Sequence, residues 1–202
     1  MADILGSLWH KLEAWDKSLY ILLNSKWTND LFDSIMPYMR NSIPWLPVYL
    51  FLFVFVALNF KKNGWWWIVF FICTVALTDI TSSQLIKESF RRVRPCNDPD
   101  FISYVRLLVN CPVGYGFTSS HAANHFGMAT FFFLTFRHIF KKWSGLLFIW
   151  AALIGYAQIY VGVHYPLDIA GGVVAGVSLG ALTGVFFHKR FGLIIFDKQP
   201  NA

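Results

Sequence analysis

The chain has 202 residues, of which 56% are hydrophobic, 19% aromatic and only 14% charged, a balance too apolar for an ordinary soluble domain and a length that suits one domain. The formal charge of +6 sits on Lys and Arg residues at the ends of apolar runs rather than on a basic stripe, which excludes a nucleic-acid partner and points to anchoring in a lipid bilayer. The expected fold is therefore all-α: one polytopic membrane helix bundle drawn over 1–202.

The N-terminus, MADILGSLWHKLEAWDK, lacks a basic region followed by an uninterrupted apolar core and a small-residue cleavage site, so it is expected to stay on the mature protein. Over 5–24, Leu5, Leu8, Trp9, Leu12, Trp15, Leu19 and Leu22 recur at helical spacing, interrupted by His10, Lys11, Glu13, Asp16 and Lys17. That pattern predicts an amphipathic interfacial helix within an N-terminal segment 1–43, with a sixth span as the alternative. Five apolar runs then approach the roughly 20 residues a helix needs to cross a bilayer, at 44–60, 65–85, 120–137, 145–163 and 167–187. Lys61 and Lys62, then Arg137, Lys141 and Lys142, then Lys189 and Arg190 fall on one side of this arrangement, which the positive-inside rule makes cytoplasmic. The long interruption, 91–118, falls outside with the His164 turn, although it carries Arg91, Arg92, Arg94 and Arg106; basic residues on the outer side imply a task there. The last run repeats Gly172, Gly176, Gly180 and Gly184, a smooth stripe for close helix packing, inside the bundle or in a homodimer; the oligomeric state stays open.

Three segments bring polar groups to that outer face: KESFRRVRP (87–95), GFTSSHAANH (116–125) and AQIYVGVHYPLD (157–168). Lys87 and Arg94 supply positive charge, and the planar fork of Arg94 suits phosphate oxygens. Thr118, Ser119 and Ser120 precede an apolar helix whose free N–H groups attract an anion. A carboxylate at Asp168 would fix the tautomer of His164 while its other ring nitrogen attacks an electrophile, and His121 at the helix end could protonate a leaving oxygen.

At these residues the chain resembles the type-2 phosphatidic acid phosphatase family, membrane lipid phosphatases related to vanadium haloperoxidases, whose signatures are K-x6-RP, PSGH and SR-x5-H-x3-D. Lys87-x6-Arg94-Pro95 matches the first in full, and His164-x3-Asp168 matches the conserved half of the third. TSSH keeps Ser119 and His121 of the second, with Thr118 for proline and Ser120 for glycine. The resemblance covers about 20–187. It implies a hydrolase that makes a phosphohistidine on His164, with Asp168 orienting it, His121 as general acid, Lys87, Arg94, Ser119 and the Ser120 backbone as phosphate ligands, and no metal or other cofactor. One departure stands out: six residues before His164, where the family has its arginine, this chain has Gln158, preceded by Ala157 instead of serine. Gln158 is still expected to bind phosphate as a hydrogen-bond donor but supplies no charge, and Arg91 or Arg92 are the expected compensation.

His125, one turn beyond His121, could tune the acid, touch substrate or simply bond between helices. A metal site of His121, His125, His164 and Asp168 is conceivable, but Lys87 and Arg94 beside it oppose a cation. Asp79, an acid inside the second run, pairs with hydroxyls of Thr78, Ser82 and Ser83 or with a bundle cation, or assists catalysis. Cys96 and Cys111 lie in the outer loop and are expected to form a disulfide that holds the Arg94 and Ser119–His121 segments in register. The expected substrate is an envelope lipid phosphate or diphosphate at the outer face of a bacterial cytoplasmic membrane, of the undecaprenyl diphosphate, phosphatidylglycerophosphate or phosphatidic acid type. The rival reading is a non-catalytic lipid-phosphate binder or transporter.

Overall fold

The computed structural model describes residues 2–193, with side chains from Gly6 onward. The domain drawn over 1–202 runs past these limits at both ends, and the side chain of Leu5 also lies outside the described residues. Among the described residues eight α-helices follow in chain order: α1 (Ala2–Ile21), α2 (Asp30–Arg40), α3 (Leu46–Asn59), α4 (Lys61–Ile80), α5 (Lys87–Phe90), α6 (Ser120–Phe140), α7 (Leu146–Tyr160) and α8 (Pro166–Arg190). Local chemistry sets their ends. The side chain of Asn29 caps α2 by accepting from the N–H of Phe32 at 2.9 Å, and Ser119 caps α6. α4 runs on through a π-helical stretch, Thr81–Ile86, into α5. That helix stops at Arg91, which is left-handed with φ 47°, just before Arg94-Pro95, where proline cannot continue it.

Among the described residues three helical stretches are long and apolar enough to cross a membrane: Lys61–Phe90, Ser120–Tyr160 and Pro166–Arg190, with a fourth if Asp30–Arg40 and Ile43–Asn59, bent by 74° against each other, count as one. This differs from the five runs read along the sequence. The first run contributes α3, only 14 residues long, which qualifies only together with α2. The third and fourth runs are the two arms of Ser120–Tyr160, folded back on each other at Lys141–Gly145, since the rings of His125 and Trp150 stand 4.8 Å apart. Composition along the chain does not report bends. α1 is not among these stretches, and its Leu8, Trp9, Leu12 and Trp15 are exposed.

The bundle interior is aromatic where α4, α6 and α8 meet: Trp67, Phe71, Phe131, Phe136 and Phe187 are buried. Hydroxyls join the helices within it, Trp67 donating to Thr135 at 2.8 Å and Thr74 meeting Thr183 at 2.7 Å. The glycine stripe of α8 is used here. A Cβ on Gly176 would stand 2.3 Å from the Ala123 carbonyl oxygen, and one on Gly180 would stand 2.4 Å from that of Gly127, so the stripe presses on α6 inside the bundle and is not free for a second copy. Phe51, Leu58 and Leu182 face outward, as suits a lipid surround. The basic helix ends gather away from the polar segments: Asn63 bonds the carbonyls of Phe191 and Gly192, and the rings of His138 and His188 lie 5.6 Å apart.

Candidate active site

At the opposite end, the C-terminal end of α5, the loop 91–118, the N-terminus of α6 and the turn before α8 converge. A disulfide joins Cys96 to Cys111 across a sequence separation of 15, tying the stretch that follows Arg94 to the one that precedes α6.

His164 is buried between two partners. Its Nδ1 lies 3.3 Å from Asp168 Oδ2 and its Nε2 lies 2.9 Å from Arg94 Nη1. A guanidinium only donates, so Nε2 must accept and Nδ1 must carry the proton, donating it to Asp168. The lone pair a nucleophile needs is thereby placed on Nε2. Burial pushes the His164 pKa down to about 4, against the pull of Asp168. Asp168 stands at the third position of α8 and accepts from the Tyr165 N–H at 2.9 Å, so the helix start itself holds the carboxylate. Arg94 is fixed as well, donating to the carbonyls of Gly114 and Val163. The loop closes tightly at Gly116, where a Cβ would come within 3.0 Å of Asp168 Oδ2.

Arg92 does not stand in for a phosphate ligand. Its Nη1 donates to Asp168 Oδ1 at 2.9 Å, its other amine bonds the buried carboxylate of Asp16 on α1, and its plane covers the Tyr165 ring at 4.4 Å. Asp16 also accepts from the Leu167 N–H at 2.9 Å. A line of contacts thus runs Asp16, Arg92, Asp168, His164. Arg91 is exposed and turned back on the Glu88 carbonyl. Neither is at Gln158, so the compensation expected from them is not what the fold provides.

Lys87 donates to Ser120 Oγ at 2.9 Å, joining α5 to the first residue of α6. The Ser119 N–H is used on the Asp168 carbonyl, and Ser119 takes the N–H of Ala122 on its hydroxyl and that of Ala123 on its carbonyl. The N–H groups of Ser120 and His121 are left at the open end of α6, the position where a helix attracts an anion. His121 is half-buried and stacks parallel to His125, centroids 6.4 Å apart.

His125 is held between helices. Its Nδ1 bonds the His121 carbonyl at 2.7 Å, Nε2 meets the Tyr49 hydroxyl at 3.5 Å, and its ring packs against Trp150. Asp79 accepts from Asn124 on its carboxylate, whereas Ser82 and Ser83 bond its carbonyl and not its side chain, contrary to the hydroxyl pairing expected. Among the described residues no three His, Cys, Asp or Glu side chains group as metal ligands, so the metal alternative has no donor set here.

Gln158 is fully buried, and a side chain not anticipated from the sequence reaches it: Arg40, at the end of α2, donates from Nε to Gln158 Oε1 at 3.3 Å. The family profile described as the PAP2 superfamily matches residues 64–191, which hold every one of the three signature segments. The chain belongs to the PAP2 superfamily. Among relatives, it is 31% identical over 180 residues to the lipid A 4'-phosphatase of Porphyromonas gingivalis, covering 87% of this chain and 72% of that one. It is 30% identical to an undecaprenyl-diphosphatase of Sulfolobus acidocaldarius, covering 77% and 68%. The crystal structure of Aquifex aeolicus LpxE superposes on it with a TM-score of 0.64 at 27% identity, over 82% of this chain and 92% of the other. Asp16 and Arg40 both lie ahead of the stretch matched by the PAP2 profile, and nothing in their local sequence marks them except their place on helical stripes.

Proposed function

We propose that this PAP2 protein hydrolyses a lipid phosphate or diphosphate through a phosphohistidine on His164, at the outer face of a bacterial cytoplasmic membrane. The observation that carries the reading is the pair of contacts on the His164 ring, Asp168 on Nδ1 and Arg94 on Nε2. When a phosphate enters, Arg94 turns its donor to a phosphate oxygen and frees the Nε2 lone pair, which attacks phosphorus. Asp168 stabilises the positive charge that develops on the ring. The bond to the leaving oxygen breaks as His121 delivers a proton to it. A water, deprotonated by the same His121, then attacks phosphorus, the P–N bond breaks, and phosphate leaves with His164 neutral again. Lys87, Arg94 and the N–H groups at the start of α6 hold the equatorial oxygens as charge builds on them.

A lipid substrate is supported by a cavity of about 550 Å³ between α3, α4 and α6, lined by Tyr49, Phe53, Phe71, Val75 and Met128, with Asp79, Asn124 and His125 at its wall. His125 and Asn124 are one helical turn from His121 and Ser120, which brings the cavity close to the residues assigned to the phosphate. The relatives at 31% identity, named lipid A 4'-phosphatases, add lipid A to the candidate substrates, beside the undecaprenyl diphosphate named in the relative at 30% identity.

Phosphate release from a panel of lipid A, undecaprenyl diphosphate, phosphatidylglycerophosphate and phosphatidic acid, measured on purified protein in detergent, tests this. Release from at least one by wild type, reduced about a thousandfold or more in His164→Ala and in His121→Ala and unaffected by a chelator, is expected. Binding without release from any of them would establish the non-catalytic binder instead.

A further inference from the structure

We propose that Arg40 is a phosphate-binding residue of this site, supplying from α2 the guanidinium that Gln158 lacks; this rests on the phosphate-hydrolysis reading above and deepens it. The placement of Arg40 follows from a stripe on α2. Phe32, Met36 and Arg40 succeed one another at intervals of four and so share one face. The Phe32 ring meets those of Tyr156 and Tyr160 on α7, at 6.4 and 5.9 Å. Met36 is buried with Ala157, Tyr160 and Val161. The next turn of the same face presents Arg40 to Gln158. Asp33, accepting from the Tyr160 hydroxyl at 2.6 Å, locks α2 on α7. The helix ends there because Asn41 turns extended, with ψ 133°.

The chemistry of the contact points to an anion. Arg40 can only donate, so the amide oxygen of Gln158 must face it; the buried Nε2 of Gln158 is then left with no hydrogen-bond partner. An unpaired buried donor is costly. Among the described residues Arg40 forms no salt bridge, and its charge acts on both Arg94 and His121. Lys87 is near enough to Arg94 to feel its charge in turn. Arg40, Arg94 and Lys87 are thus electrostatically linked, with Asp168 and Asp79 as the nearby carboxylates, and the spare donors of Arg40 and Gln158 are suited to the oxygens of a multiply charged anion. Ala157, the small residue beside Gln158, is part of the contact that lets α2 approach. The two departures from the third signature therefore belong to one rearrangement, in which the guanidinium has moved from α7 to α2.

The test uses the full chain in detergent, with orthovanadate binding measured by calorimetry so that the readout does not depend on turnover. Arg40→Gln is expected to weaken vanadate affinity by about tenfold or more, and Arg40→Lys by less. Arg40→Gln combined with Gln158→Arg, which returns a guanidinium to the other helix, is expected to recover most of the loss. On whichever lipid phosphate is hydrolysed, Arg40→Gln should lower kcat/KM by about 100- to 1000-fold. Vanadate affinity unchanged in Arg40→Gln overturns the inference, and so does a double variant that binds no better than Arg40→Gln while melting at the same temperature. His164→Ala is the separate control: phosphate release retained there overturns the phosphohistidine and leaves the vanadate result on Arg40 to stand by itself.

Discussion

At His164 two neighbours decide where a proton sits. Arg94 on Nε2 and Asp168 on Nδ1 leave one tautomer, and burial holds the ring neutral down to about pH 4. In protein labelled with ¹⁵N-histidine, the His164 ring is expected to show a protonated Nδ1 and a bare Nε2 at neutral pH and to titrate far below the ordinary value of about 6.5. A proton found on Nε2, or titration near 6.5, would remove the nucleophile from the mechanism. The same shift has a sign for stability. Between about 6.5 and about 4 an unfolded histidine binds a proton that the folded one does not, so His164 makes the fold less stable as pH falls through that window and has no such effect above it. Gln158 shows what a residue read alone conceals. As a position in a signature it is a lost charge; as a buried amide it is the acceptor for a charge brought from elsewhere.

At the scale of elements, the two N-terminal helices complete a site whose signature residues all lie further along the chain. α1 exposes Leu8, Trp9, Leu12 and Trp15 and turns Asp16 inward, where it is fully buried against Arg92 and the Leu167 N–H. Apolar periodicity in 5–24 marks the helix and its exposed face, but it counts Asp16 merely as one of several interruptions. Asp16→Ala leaves Arg92 with one carboxylate and the start of α8 with an unpaired N–H. Removing one member of a buried pair costs about 3–5 kcal/mol, so a clear drop in melting temperature is expected. Turnover should fall together with it, because Arg92 then holds Asp168 less firmly. Asp16→Asn, which keeps an acceptor for Leu167, should recover part of both. Full activity and an unchanged melting temperature in Asp16→Ala would mean that α1 is only an attachment to the bundle.

For the whole molecule, the clustering of Lys61, Lys62, Lys141, Lys142, Lys189 and Arg190 at the end away from His164 predicts an outward-facing site by the positive-inside rule. In a Cys73→Ser background, Val113→Cys, at a loop position 98% exposed, should react with a membrane-impermeant maleimide in intact right-side-out vesicles. Lys62→Cys should react only after the membrane is opened. The reverse pattern would turn the site to the cytoplasm. The sequence by itself determined the helical class, the lipid setting and the signature residues, because apolar composition, helical periodicity and short motif spacings are all properties of neighbouring positions. Where Ser120–Tyr160 folds back, which neighbour the glycine stripe presses on, that Arg92 is spent on Asp16 and Asp168, and that Arg40 reaches Gln158 across 118 positions were decided only in three dimensions. Those outcomes depend on how helices bend and cross, and a side chain such as that of Arg40 carries no local mark of the distant group it will meet.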